Sequence, residues 1–460
     1  VWASVEVATL AVCLLSAFFL HRYVLDPNYF HMADDWGWLH LVHFHPIPAY
    51  VSWLPKMLYN DRPVGALFLR ELHLAFGLAV VPMHAVLLAL HLGNAVLVYL
   101  IAKRLWPGKV IPALVAAGLF AHSFSVTHTM LTVGTIFDLL GNTMVLATVF
   151  CHLGRGWPSR LLTVVFAFLA VRTKEVGIML PPILLVYDWC ILLAAQPIRN
   201  RWWKTLRRDG LLLGLFIVMV LVYLPLFRGT RLPYSDPYAM HVTVPVLIAT
   251  LRQIGSELLL NRLPFSTGLT WAVLGVSLLL AVRNHRFGWL LAATLLALLP
   301  TAFLEIQRKM LYFYIPSSFF WLSVAALLAP IVHRLEPRRP AGKITAILIT
   351  ALIIMLVGRT IKFSDYYRDR VAWLLRYGQQ YRQEFTTFRQ AVPTLPPGTL
   401  VVLENFPVYF NVFDYGPCYA LRLAYDTQNV VCSLYQSPAV INEQIKKYPH
   451  VIRVRYTGYN

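Results

Sequence analysis

Ala8-Thr-Leu-Ala-Val-Cys-Leu-Leu-Ser-Ala-Phe-Phe-Leu20 runs on towards Tyr29-Phe-His-Met-Ala-Asp-Asp-Trp-Gly-Trp38. The first stretch is the heart of an apolar run over 3–22, long enough to cross a hydrocarbon core. The second sets two adjacent carboxylates, Asp34 and Asp35, just past its end. Paired acids are poor membrane anchors, so they point to chemistry. Similar runs recur at 79–102, 110–122, 134–152, 160–171, 175–195, 210–227, 267–282, 288–304, 313–332 and 343–360. The chain therefore reads as a polytopic α-helical membrane protein with about eleven transmembrane helices.

Composition agrees. Hydrophobic residues make up 58% and charged residues 13%, about half the charged share of a soluble domain. The net charge of +19 is no nucleic-acid signal, because the cations fall in short clusters between apolar runs. These are Lys103/Arg104/Lys109, Arg155/Arg160, Arg199/Arg201/Lys204/Arg207/Arg208, Arg283/Arg286 and Arg334/Arg338/Arg339/Lys343. Placed together on the cytoplasmic side, they put the N-terminus inside, and the loop 23–78 and everything after 360 outside. Residues 246–262 are apolar but broken by Arg252 and Glu257, so they are expected along the outer interface or as a re-entrant piece. The alternative is twelve spans with one reversed basic loop. Residues 3–22 are read as a span rather than a cleaved leader. A plasma membrane location, of the bacterial inner-membrane kind, is expected.

Two domains follow. Residues 1–360 form the transmembrane domain, with interfacial helices in the loop 23–78. Residues 361–460 form a small α/β domain on the outer (periplasmic) face. Its expected strands are Thr399-Leu-Val-Val-Leu403, Val430-Val-Cys-Ser-Leu434 and His450-Val-Ile-Arg-Val454, with helices over 366–391 and 438–447. Pro393, Pro396, Pro397 and Gly398 punctuate the entry to the first strand. Cys418 and Cys432 both lie here. A disulfide and two free thiols are both open. Five cysteines without CxxC spacing argue against a zinc or redox centre.

Charged residues on the outer side need a reason. A carboxylate near lipid gains basicity by desolvation, which suits Asp34 or Asp35 as a general base. The plain alternative is a solvated interfacial girdle. His40-x-x-His43-x-His45 is a weak metal candidate at that irregular spacing. Arg62, in Asn60-Asp61-Arg62-Pro63-Val64-Gly65, is a fork donor suited to phosphate, or one half of a turn contact with Asp61. His122 ends the third run and Asp138 opens the fourth. Ionisable groups at such depths are functional candidates by default, although Asp138 also suits a helix start. Arg172-Thr-Lys174-Glu175 and Gln307-Arg308-Lys309-Met-Leu-Tyr312-Phe-Tyr314 are outward cation clusters where an anionic lipid headgroup would fit. Against these stand a Lys174–Glu175 structural pair and belt roles for Tyr312 and Tyr314.

Asp34-Asp35, Arg62-Pro63-Val64-Gly65, His91-Leu-Gly-Asn94, Phe120-Ala-His122, Lys174-Glu175 with Pro181 and Tyr187-Asp188, and Arg308 with Tyr312-x-Tyr314-x-Pro316-Ser317 follow one another in an order that resembles the C-type (GT-C) glycosyltransferase superfamily. The likeness is nearest to protein O-mannosyltransferases and tetratricopeptide-containing mannosyltransferases, and more distant to the aminoarabinose transferase of lipid A. It covers about residues 1–375. No tetratricopeptide repeat is present. The resemblance implies a polyprenyl-phosphate sugar as donor, inversion at the anomeric carbon, and a protein, glycan or lipid acceptor entering from the outer face. It implies Asp34 or Asp35 as base and Arg308, Lys174 and Arg62 as donor phosphate-binding cations. Asp138, Glu175, His122, Tyr312 and Tyr314 would support them. It implies no metal and no cofactor. Residues 228–266 are too short for an inserted sugar-binding domain, so acceptor choice would fall to the C-terminal domain. Its aromatic run Phe406–Tyr415 would line the entrance, or simply pack that domain down.

Two other classes remain open. One is a catalytically silent structural subunit with membrane-protein partners, since a fold does not establish activity. The other is a lipid or polymer transporter, which should show internal repeats; none is visible.

Overall fold

The computed structural model describes residues 2–31, 34–56, 61–123, 129–154, 156–229, 239–258, 266–305, 310–335, 347, 351, 354, 355, 358, 372–404, 418–434 and 438–455. Helices dominate. In chain order they begin α1 (Trp2–His21), α2 (Asp34–Phe44), α3 (Ile47–Tyr50), α4 (Pro63–Phe76), α5 (Val80–Leu105) and α6 (Val110–Ala121). There follow α7 (Ile136–His152), α8 (Trp157–Thr173), α9 (Leu180–Tyr187), α10 (Ile198–Gly229) and α11 (Val244–Leu258). Next come α12 (Thr267–Arg283), α13 (His285–Ala302) and α14 (Tyr314–Leu335). Gly77 ends α4 at φ 58, a left-handed conformation open to glycine, and its N–H returns to His73 O at 2.8 Å.

Among the described residues, six helical stretches are long and apolar enough to cross a membrane: Ser4–Leu25, Val80–Leu105, Val133–His152, Glu175–Leu192, Ile198–Leu226 and Leu311–Pro330. The expected eleven is not shown in full: α6, α8 and α12 are shorter, at 12, 17 and 17 residues, and α13 reaches 18 residues but carries His285 and Arg286 in its first turn. The 12 residues of α6 rise only about 18 Å. The expected span 343–360 falls outside the described residues, save five isolated positions. The 15 residues of α11 reach about 22 Å, short of a hydrocarbon core. Val246, Thr250 and Ile254 line its buried face and Arg252 its exposed one, which fits a helix lying along an interface. By contrast α12 turns Trp271, Val276, Leu279 and Val282 outward, an apolar surface suited to lipid.

Long-range pairs give the bundle two ends. At one, Glu6 near the start of α1 meets Lys103 at the close of α5, 2.6 Å apart. Arg104 donates to Phe150 O near the end of α7, and Arg208 donates to His152 O at 3.0 Å. At the other end lie α2, the start of α4, the start of α7 and the end of α8. Between the ends, α5, α6, α7 and α14 are bolted by buried polar groups. Asn94 donates to Leu139 O at 3.0 Å and to the Tyr314 hydroxyl at 3.2 Å. His91 meets that hydroxyl through Nδ1 at 3.0 Å and donates from Nε2 to Ala121 O at 3.1 Å.

The C-terminal residues form α15 (Ala372–Ala391), β1 (Thr399–Glu404), α16 (Tyr419–Ala424), β2 (Val430–Leu434), α17 (Pro438–Ile445) and β3 (His450–Arg455). The three strands make a parallel sheet of order β2-β1-β3, with Thr399 opposite both Val430 and His450. Central β1 is buried along Thr399–Leu403, as a parallel strand with neighbours on both sides should be. A disulfide joins Cys418, just before α16, to Cys432 in β2, with Cα atoms 5.7 Å apart. This lobe rests on the residues before and within α2. Phe385 packs on Phe30 and Trp36 at 5.4 and 5.7 Å between ring centroids. Tyr419 lies on His40 at 4.2 Å.

Candidate functional site

The acid pair opens α2, where carboxylates meet the positive end of the helix dipole. Successive helical residues diverge, and here that gives the two acids different fates. Asp34 is exposed, whereas Asp35 is 1% exposed. Asp35 Oδ1 accepts the Gly134 N–H at 2.6 Å. Its Oδ2 faces His31 Nδ1 at 3.9 Å. That contact is not an ion pair near neutral pH: burial, reinforced by His84, pushes the His31 imidazole down to about 3. His31 is pinned instead by Nε2 donating to Leu78 O at 3.2 Å. The desolvation expected for the pair therefore falls on Asp35, and Asp34 is the carboxylate open to solvent.

Phe137, at the start of α7, links this pair to the cations at the same end of the bundle. Trp38 packs on its ring at 4.4 Å and the Arg62 guanidinium lies 5.3 Å from its centroid. Gly65 lets α4 come that close, since a Cβ there would sit 2.2 Å from the Phe137 ring. Arg62 then makes a fork to Glu175, with Nε donating to Oε1 at 2.9 Å and NH2 to Oε2 at 3.1 Å. Lys174 is buried and donates to Asp138 Oδ2 at 3.0 Å. Its ammonium lies 5.7 Å from the Tyr312 ring centroid. Arg172, fully buried, donates to Asp61 Oδ1 at 3.0 Å and to Ser52 O at 2.6 Å. So the hydrogen-bonded partner of Lys174 is Asp138, Glu175 forks with Arg62, and Asp61 meets Arg172. The adjacent pairs Lys174–Glu175 and Asp61–Arg62, each one of two readings open in the sequence, give way to these because neighbouring residues at helix ends point to different faces.

The fold thus gathers Asp34, Asp35, Arg62, Asp138, Lys174, Glu175 and Tyr312 at one end of the bundle. It gives His122 and Tyr314 other company. His122 is buried between Gly118 O and Ser16 Oγ, at 2.8 and 3.0 Å. The Tyr314 hydroxyl belongs to the His91–Asn94 bolt described above. Arg308 and Lys309 lie outside the described residues, as does Phe406–Tyr415. His40, His43 and His45 do not converge on one point. His43 bridges His73 Nε2 at 3.0 Å and Asp426 Oδ1 at 2.8 Å, while His40 stacks on Tyr419. Sequence reading passed over Gly134 and Phe137. The one available cue was a glycine immediately before an acid-bearing helix start.

Arg62, Lys174 and Arg172 are each matched by one carboxylate, and Asp34 and Asp35 stand beside them as two further acids. Such an end can hold a carboxylate poised towards solvent and can release a cation to an anion that outcompetes its acid.

No protein-family model matches the chain and no characterised protein matches its sequence. Among solved structures it is similar to ArnT from Cupriavidus metallidurans bound to undecaprenyl phosphate, at a TM-score of 0.44 and 14% identity, covering 98% of this chain and 89% of that one. It is also similar to the Archaeoglobus fulgidus oligosaccharyltransferase in complex with zinc and sulfate, at a TM-score of 0.44 and 13% identity, covering 93% of this chain and 62% of the other. At that level neither lends the chain a residue role.

Proposed function

We propose that this chain is an inverting membrane glycosyltransferase that moves a sugar from a polyprenyl-phosphate donor to an acceptor on the outer face. The carrying observation is the unequal acid pair: an exposed Asp34 next to an Asp35 locked by Gly134. In the transfer, Asp34 takes the acceptor hydroxyl proton as that oxygen bonds to the anomeric carbon. The bond from that carbon to the phosphate oxygen breaks, and the electron pair leaves with the polyprenyl phosphate. Asp35 is a positioning residue that holds the first turn of α2 against α7. Arg62 and Lys174, with Arg308 from the resemblance, stabilise the charge building on the leaving phosphate. No metal or cofactor is assigned to this step. The disulfide of the C-terminal lobe suits an oxidising, extracytoplasmic side. This supports a reading with the Asp34 end outside and the Arg208 end, with its clustered cations, inside.

The test is transfer of radiolabelled sugar from polyprenyl-phosphate donors, undecaprenyl phosphate carriers included, by the full chain in membranes. Asp34→Asn should cut transfer by about 10²–10⁴-fold with donor binding retained. Transfer surviving in Asp34→Asn but lost in Asp35→Asn would reverse the two roles. No transfer by the wild type across a panel of donors and acceptors would favour the second reading, a catalytically silent structural subunit. One observation supports that reading: each described outer cation named above is already paired with a carboxylate.

A further inference from the structure

Helix α7 carries Asp138 near one end and His152 at the other, about 21 Å away along the axis. At the His152 end, three side chains from separate elements converge. His152 Nε2 is 3.0 Å from Asp188 Oδ1. Asp209 of α10 completes the set, with one potential ligand atom from each residue within 4.8 Å of the others. All three are at least nine-tenths buried. Asp188 opens a π-helical turn, Asp188–Leu192, a distortion frequent at functional sites. The other oxygen of Asp188 is 2.9 Å from Arg208 Nε. Among the described residues Arg208 is the one guanidinium in contact with these carboxylates, its Nε also 3.8 Å from Asp209 Oδ1, and Arg160 stands further off; at contact distance the two acids are one positive charge short, in a place where unpaired charge is costly. The cluster lacks donors too. Asp209 Oδ2, inside the cluster, has no hydrogen-bond partner, and neither does Thr205 Oγ1 one turn earlier on α10.

We propose that His152, Asp188 and Asp209 bind a divalent cation of the magnesium–manganese class. The cation supplies the missing charge, and its bound waters donate to the orphaned oxygens. Two carboxylates with water favour a hard ion, and one imidazole is compatible with manganese. The 3.0 Å between His152 Nε2 and Asp188 Oδ1 matches neighbouring corners of an octahedron with bonds of about 2.1 Å. Arg208 steadies the first carboxylate from behind, as the outer partners of metal ligands do. The ion ties α7, the turn after α9, and α10 together. It lies at the far end of the bundle from Asp34, takes no part in the proposed transfer, and does not depend on that reading.

The experiment uses the full chain in nanodiscs, stripped with chelator, desalted and titrated with Mn2+. Loss of the free-ion electron paramagnetic resonance signal should show one ion per chain, and pulsed measurements should show coupling to an imidazole nitrogen. Asp209→Asn and His152→Gln should each weaken binding at least tenfold, and Mn2+ should raise the melting temperature of the wild type but not of Asp209→Asn. Three results would overturn the site: no stoichiometric binding, which would assign the missing charge to a shared proton; binding without nitrogen coupling; or equal binding by both variants. The first two need only the wild type, so a variant that fails to fold leaves the test intact.

Discussion

At the scale of single residues, the decisive contrast is between Asp34 and Asp35. They share a chemistry and differ in exposure, because one helical step turns the second into the bundle. Asp34→Asn is expected to lower the rate of transfer by about 10²–10⁴-fold, the usual worth of a general base, with the donor KM little changed; steady-state kinetics on the labelled donor checks this. Gly134→Ala should cost less, because its Cβ would stand 3.2 Å from Asp35 Oδ1 and only displaces the positioning acid. Lys174 calls for a different measurement. Its pair with Asp138 is buried, and removing one partner strands the other charge. Lys174→Met should therefore destabilise the protein by about 3–5 kcal/mol, read as a lower melting temperature in detergent. Lys174→Met with Asp138→Leu should recover most of that stability. If the recovered double variant still transfers sugar at the wild-type rate, Lys174 does not serve the donor phosphate.

At the scale of elements, the site depends on how closely α4 approaches α7. Gly65 permits that approach, and Phe137 fills the space between Trp38 and Arg62. Gly65→Ala places a methyl within the Phe137 ring's contact distance. Overpacking of this kind costs about 1–3 kcal/mol. The expected outcome is a lower melting temperature with a disproportionate loss of transfer, because α4 carries Arg62 at its start. A melt and a transfer assay on the same preparation test it. The element scale is also where sequence reading was most exposed. Apolar runs marked helices reliably, since burial and lipid exposure both select apolar residues. Six of the expected spans coincide with helical stretches long and apolar enough to cross a membrane. The three strands of the C-terminal lobe were legible from their β-branched runs, Thr399–Leu403, Val430–Leu434 and His450–Val454. Their parallel order was not, because strand order depends on crossovers rather than on composition.

At the scale of the whole molecule, the C-terminal lobe sits on α2 through His40, His43 and the Phe30–Trp36–Phe385 stack, beside the acid pair. This junction is rich in buried imidazoles. Burial, with Arg422 adding to it, pushes His40 down to about 4, and His31 lies lower still at about 3. An unfolded histidine titrates near 6.5. Between those values the unfolded chain binds more protons than the folded one, so stability is complete above pH 6.5 and falls as the pH drops towards 4. Each histidine contributes up to about 1.4 kcal/mol per pH unit across that window. Melting temperatures at pH 7.5 and 5.0 should differ, and His31→Gln should reduce the difference; a melting temperature independent of pH would contradict the assignment.

The sequence by itself determined the apolar helical body and the strands of the mixed C-terminal lobe, because each is written in local composition and period. Tertiary structure alone decided the pairings. Whether Lys174 bonds to Asp138, whether Cys418 finds Cys432, and whether His152, Asp188 and Asp209 come together are questions about residues a dozen or more positions apart. Their answers depend on which faces of α4, α7, α8 and α10 come together, and a charge carries no mark of its partner until packing brings the two within a few ångströms.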